Sequence, residues 1–205
     1  MPLQNRVTPM GDIVPTSERG LFTGNRGIIH DAGTRTLLKR RWTSRAWLIC
    51  VLHFGDVRRT VMGPGSWTEL FFLDEATALA AGHRPCFFCR RAEAMAFQTK
   101  FRTGDEIAAP RACDIDRILH AERLDGRRKQ LHALAVRPSD LPDGAMVLHR
   151  NAPHLILDGR AHLWSHAGYG APIAAPDKAE LITPPSTVAA LRAGYRPVLH
   201  ASAVG

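Results

Sequence analysis

Apolar positions in the first half of the chain come in short runs broken by glycine and proline, the mark of strands joined by turns. The longest run, Trp47 to Phe54 (WLICVLHF), reads as a strand, and Val57 to Met62, just past Gly55-Asp56, reads as its hairpin partner. After the turn at Gly63-Pro64-Gly65, Trp67 to Leu73 predicts a second strand. The period then becomes helical. Asp74 is a capping residue, Glu75 stands in the first turn, and Ala76, Ala78, Leu79, Ala80 and Ala81 are strong helix formers that Gly82 brings to an end. Arg90 to Phe101 predicts another helix, with Ala94, Phe97 and Phe101 on one side. Upstream of these elements, Met1 to Gly20 reads as an extended arm, and Arg19 to Asp31 as a glycine-broken loop entering a strand.

Gly104 to Pro110 reads as a hinge. Beyond it, Asp114 to Leu124 is helical, with a stripe of Ile115, Ile118 and Leu119. Ala145 to Leu148, His154 to Leu157 and Ala161 to Trp164, parted by Pro/Asp/Gly turns, predict a small antiparallel sheet, and Trp164 to Tyr169 an aromatic loop able to stack on a base. Near the end, Ala190-Leu191-Arg192-Ala193-Gly194-Tyr195-Arg196-Pro197 repeats Ala78 to Pro85, differing at Arg192 and Tyr195 only. Val198 and Ala201 stand where the earlier copy has Cys86 and Cys89. The fold class is therefore α+β: antiparallel hairpins and short helices around a knuckle-like site, then a small antiparallel sheet. The halves fall at 1–105 and 106–205, as two lobes or as one compact domain.

Composition narrows the partners. The formal charge is +8 and the excess is arginine rather than lysine, which favours a polyanion, with an inert basic surface as the alternative. Cysteines occur at 50, 86, 89 and 113, with no apolar leader and no run long enough to span a bilayer. These features predict a reducing cytoplasm and no membrane partner, where paired thiols are metal ligands sooner than disulfides.

Arg84-Pro85-Cys86-Phe87-Phe88-Cys89 places two thiols at C-x-x-C spacing in a tight turn, half of a tetrahedral zinc site. A redox dithiol would need a βαβ unit that is not visible upstream, and two unrelated core cysteines are the third possibility. Cys50 is the candidate third ligand and His30 the fourth, with His53 and a water as rivals. On an intact strand Cys50 and His53 face opposite ways. Asn25 and Arg26 in the glycine loop, Arg90 and Arg91 at a helix start, and Arg84 and Arg196 in the repeated turns are candidate phosphate contacts. Asp116, His120 and Glu122 are candidate acid/base groups, set against a plain solvated helix face.

Phe71, Phe72, Glu75, Ala76, Ala80, Ala81, Gly82, Arg84, Pro85, Cys86 and Cys89 together resemble, in order as well as content, the second half of the zinc-binding domain of Ada-type alkylation-response proteins. In that family a strand ending in aromatics leads through an Ala-rich helix to a Gly-x-Arg-Pro turn and a C-x-x-C half-site on DNA. The family's other half-site is a cysteine pair upstream, one of which accepts a methyl group from a DNA phosphotriester; here that region holds Cys50, followed by His53. The resemblance implies zinc and nucleic acid, DNA before RNA. Three functions are therefore expected in order: a zinc-containing nucleic-acid-binding protein with a structural metal; a nuclease or base-excision glycosylase using Asp116, His120 and Glu122; and a phosphotriester methyl acceptor through Cys50.

Overall fold

The computed structural model describes residues 1–56, 58, 60–101 and 109–204. Its organising element is α1 (Glu75–Ala80), a helix of six residues, every one of them buried. Ala78 and Leu79 enter the larger hydrophobic cluster, while Ala76 and Ala80 enter a second. Buried on every side, it packs between two sheets.

The chain opens with a hairpin of β1 (Gln4–Val7) and β2 (Ile13–Pro15), where an extended arm with one short strand at most was expected. β3 (Phe22–Asn25) follows, then a small lateral hairpin of β4 (His30–Asp31) and β5 (Thr36–Leu37), then β6 (Leu48–Val51) and β7 (Leu70–Phe72). After α1 comes β8 (Arg84–Pro85). The first sheet has six strands in the order β2-β1-β7-β3-β6-β8, antiparallel except where β1 meets β7 and β6 meets β8.

β3 lies inside this sheet, between β7 and β6, although its Phe-Thr-Gly-Asn sequence reads as a loop. Gly24 explains this. A Cβ there would stand 2.0 Å from the Leu48 carbonyl oxygen, so glycine is what lets β6 approach. The expected partner of β6, Val57 to Met62, is not a strand in its described residues; Val57 and Arg59 lie outside them. Met62 instead turns with φ 55° and donates its N–H to Glu69 Oε2, and β6 pairs with β3 and β8.

α2 (Arg91–Lys100) and α3 (Ala112–Arg123) follow, and then a short hairpin of β9 (Leu124–Asp125) and β10 (Arg128–Lys129). The expected hinge lies, through residue 108, outside the described residues. The second sheet is wholly antiparallel, in the order β14-β13-β12-β11-β15, from β11 (Met146–His149), β12 (Ala152–Leu157), β13 (Arg160–Ser165), β14 (Gly168–Ala174) and β15 (Glu180–Leu181). α4 (Pro185–Arg192) packs on α2 and α3. One cluster runs from Val7 and Phe72 through Leu79, Phe97 and Leu119 to Val147, Leu191 and Tyr195, so both halves of the chain contribute to a shared core. Among the described residues no helix is long and apolar enough to cross a membrane.

Both ends of α1 are fixed. Asp74 caps it, Oδ1 accepting from the Thr77 N–H at 2.9 Å and the Thr77 hydroxyl at 2.7 Å, while Oδ2 accepts from Tyr169 Oη at 2.9 Å. Trp164 Nε1 donates to Thr77 Oγ1. The aromatic segment expected to offer a stacking surface therefore ties the second sheet to α1. At the other end Gly82 takes φ 87°, and its N–H and that of His83 return to Leu79 and Ala78, a Schellman closure.

Candidate metal centre

The site forms where β8 runs parallel to β6. Leu48 lies beside Arg84 and Ile49 beside Pro85, and the Cys86 N–H continues the ladder to the Ile49 carbonyl at 3.0 Å. This register sets Cys86 next to Cys50, although 36 residues separate them in the chain (86 − 50). A tight turn then brings Cys89 back: the Arg90 N–H donates to the Cys86 carbonyl at 3.0 Å, and the Phe88 N–H points at Cys86 Sγ, 3.4 Å away. The Sγ atoms of Cys50, Cys86 and Cys89 all lie within 4.8 Å of one another. Tetrahedral zinc with bonds of about 2.3 Å needs sulfurs about 3.8 Å apart, so only a small adjustment separates the thiols from that spacing. Cys50 and Cys86 are buried and Cys89 is half-buried, while Cys113 is exposed elsewhere.

The thiols already differ in proton affinity. Hydrogen bonds from Cys50 and then Cys89, with backbone N–H groups behind them, pull the Cys86 thiol far below its usual range. Those same contacts, followed by burial, push Cys50 up. Thiols bind a metal ion as thiolates, so uptake here would release protons.

A cavity of about 480 Å³ adjoins the three sulfurs. Phe54 and Phe88, ring centroids 5.0 Å apart, border it, as do His53 and Glu69. Glu69 is held in place, accepting from the Met62 N–H at 2.7 Å and from Ser66 Oγ at 3.3 Å. β6 ends at Val51, so His53 leaves the strand and lies in the cavity wall, outside the thiol cluster.

His30, the expected fourth ligand, is also outside the cluster. It is buried, with Nδ1 at 2.6 Å from Thr68 Oγ1 and Nε2 at 3.1 Å from the Gly63 carbonyl, so both ring nitrogens are occupied.

The arginines expected on a nucleic-acid face divide sharply. Arg84 forms a two-pronged pair with Asp116, both contacts 2.8 Å, and Arg90 another with Glu75 at 2.9 and 3.1 Å; all four residues are buried. Arg26 is 2% exposed, lies 3.9 Å over the Trp47 ring, and donates to His83 Nε2 and the Gly11 carbonyl. Asn25 is in β3, where Oδ1 accepts from the Gly27 N–H, and it borders the cavity. Arg26, Arg84 and Arg90 are thus interior residues and not phosphate contacts. Arg91 and Arg196 are exposed.

The candidate acid/base groups do not meet. Asp116 is bound to Arg84 and does not orient His120. His120 Nδ1 is 2.8 Å from an Arg123 guanidinium nitrogen, and burial followed by Arg123 and Arg45 lowers its pKa. Glu122 Oε2 accepts from the Ser186 N–H and hydroxyl at 3.1 and 2.6 Å, which caps α4. Each has a structural task, and none borders the cavity beside the thiols.

A second group was missed in the sequence. Arg123, 1% exposed, also lies 3.9 Å over Trp47 and donates to the Gly82 and Arg45 carbonyls. Burial, followed by the neighbouring arginines Arg26 and Arg123, drives the His83 pKa well below its usual value, so the ring is neutral. Burial, then Arg26 and Arg123, also brings Lys129 down to about 7; its Nζ donates to the Ala80 carbonyl. Two arginines thus lie over one tryptophan beside a neutral histidine, with Lys129 close to that histidine, and only the i,i+3 spacing of His120 and Arg123 hinted at any part of this.

No family model matches the chain, and no curated protein and no solved structure matches it.

Proposed function

We propose that this is a zinc protein that binds nucleic acid, DNA ahead of RNA, with a structural metal held by Cys50, Cys86 and Cys89. One observation carries the metal: three thiols from two separate segments converge on one point, with a backbone N–H directed at Cys86 sulfur. Thiolates in such a set suit zinc or another soft ion. When bound, zinc supplies a cross-link between β6 and the turn that starts α2. Cys50, Cys86 and Cys89 would be the protein ligands of the ion, and holding three chain positions to one point is what a structural metal would contribute here.

Nucleic acid is favoured by the charge of +8 and by the resemblance of Phe71 to Cys89 to the Ada-type half-site. Any arginines that contact phosphate are then drawn from outside the buried set of Arg26, Arg84 and Arg90. A nuclease or glycosylase built on Asp116, His120 and Glu122 is disfavoured because each of them is committed to another partner. Methyl acceptance through Cys50 is disfavoured because that residue is only 7% exposed.

Metal analysis with cobalt substitution tests the first part. Purified protein should carry one zinc per chain. The cobalt form should show intense thiolate-to-metal charge transfer that Cys86→Ser removes and Cys113→Ser leaves intact. Structural zinc contributes about 10–16 kcal/mol in small peptides, so a chelator should lower the melting temperature markedly. A protein that purifies metal-free and melts identically with and without chelator sinks the reading. For the second part, labelled DNA and RNA should be retarded in a gel and remain uncut.

A further inference from the structure

Several basic side chains gather around one tryptophan at the surface. Lys39, Arg40, Arg41, Trp42 and Arg127 line a concavity of about 440 Å³ with no carboxylate in its wall. Arg127, in the β9/β10 turn, donates to the Lys39 carbonyl at 2.9 Å and joins the two loops. Arg41 donates to the Leu38 carbonyl. The floor is anchored too: the Thr43 N–H donates to the Arg26 carbonyl at 2.8 Å, and Arg123 holds the Arg45 carbonyl. Trp42 is fixed against Trp47 and against the His120 ring, with centroids 6.1 and 6.0 Å away. The backbone and the tryptophan of the concavity are therefore held in place by the fold.

What lies beneath strengthens its field. Trp47, behind Trp42, carries the guanidinium groups of both Arg26 and Arg123. Arg26 Nη2 and Arg123 Nε are buried without a hydrogen-bond partner. The carboxylates these two feel are Asp12 and Asp116, and Asp116 is already committed to Arg84. Interior positive charge that is not fully neutralised raises the potential over the nearest concave surface.

We propose that this concavity is the nucleic-acid site, taking one nucleotide of a single strand with its base on Trp42 and its flanking phosphates on Arg40, Arg41 and Arg127. The inference rests on the nucleic-acid part of the reading above and is independent of the metal. A single strand is favoured over a duplex because a base can reach an indole in a concavity only when it is unstacked from its neighbours. Trp42 also argues against a purely electrostatic partner, since phosphates alone need no aromatic floor.

Fluorescence anisotropy on the zinc-loaded full chain, with labelled fifteen-nucleotide single strands and a matched abasic strand, tests it. Trp42→Ala should weaken binding of the normal strand by about 5- to 150-fold, the range for loss of one stacked base. Trp42→Phe should retain most of the affinity, and the abasic strand should be indifferent to either change. Arg40→Ala and Arg127→Ala should each reduce the slope of log affinity against log salt by about 0.7, one phosphate contact each. Arg192→Ala, an exposed arginine at the end of α4, makes the same charge change elsewhere and should do neither. If wild-type protein binds but the Arg40, Arg127 and Trp42 variants behave like Arg192→Ala, the location is wrong and the nucleic-acid reading survives. If Trp42→Ala weakens normal and abasic strands alike, the stacking role is wrong. If wild type binds no strand, both fall. Should Trp42→Ala fail to fold, the two exposed arginines decide.

Discussion

The two Ala-Leu-x-Ala-Gly-x-Arg-Pro segments start alike and end in different chemistry. Gly82 and Gly194 have φ of 87° and 96°. The N–H groups of Gly194 and Tyr195 return to Leu191 and Ala190, as those of Gly82 and His83 return to Leu79 and Ala78. After the turn they diverge. His83 is buried and neutral beside two arginines, Arg84 is paired with Asp116, and the thiols follow. Tyr195 instead donates to Glu75 at 2.6 Å, Arg196 is exposed, and Val198 donates its N–H to Glu75 Oε2. Eight residues thus encode a helix end completely and the fate of its arginine not at all. The two copies also meet: Glu75, at the start of α1, accepts from Arg90 on the metal side and from Tyr195 and Val198 on the other.

Removing that junction should have the largest effect. Glu75→Gln leaves the buried Arg90 guanidinium with only the half-exposed Glu93, 4.0 Å away, as counter-charge, and breaking a buried pair this way costs about 3–5 kcal/mol. Urea unfolding should show a loss of that size. Glu180→Gln, on an exposed carboxylate, should lie within about 0.5 kcal/mol of wild type. A Glu75→Gln loss below about 1 kcal/mol would mean that the two copies are not joined through this carboxylate.

The glycines give a finer contrast. An added Cβ at Gly82 would meet Arg123 Cδ and Cβ at 2.6 and 2.7 Å, whereas at Gly194 the nearest atom is Lys100 Nζ at 3.4 Å. Both alanine variants carry about 1–2 kcal/mol for the left-handed backbone. Only Gly82→Ala must also displace a buried arginine, so it should be the more destabilising by chemical denaturation. Equal losses would show that Arg123 is not packed against the first turn.

Much of the skeleton is legible from local signals. Asp74 and Gly82 mark the ends of α1, and C-x-x-C together with Cys50 marks the residues that the structure brings within 4.8 Å. What escapes is what depends on distant partners. β3 carries a glycine that suggests a loop, and only the nearness of Leu48 explains it. Arg84 and Arg90 appear ready for phosphate until Asp116, 32 residues away, and Glu75 are seen to hold them. Arginine is exposed by default, and a reading of one segment has no access to a buried carboxylate elsewhere. The basic concavity at Lys39 to Trp42 and Arg127 has no motif spacing because it is joined across two loops.

The smallest expected effect is on pH dependence, and it also separates the two copies. Burial, then Arg26 and Arg123, lowers the pKa of His83, whereas its counterpart Tyr195 is pushed up by burial and Glu75. The folded state therefore resists protonating His83 while the unfolded chain accepts a proton near pH 6.5. Above that value the ring is neutral in both states and contributes nothing to the pH dependence. As pH falls below 6.5 the unfolded state binds the extra proton and stability declines. His120, His154 and His166, also lowered chiefly by burial, act in the same direction. Tyr195 titrates far above this window, so the second copy is silent there. Melting temperature followed from pH 7.5 to 5 should fall progressively in wild type and less steeply in His83→Gln, while Tyr195→Phe should lower the whole curve without changing its slope. A wild-type curve flat through pH 6, or a His83→Gln slope equal to wild type, would place a charged histidine beside the arginines and remove the asymmetry between the turns.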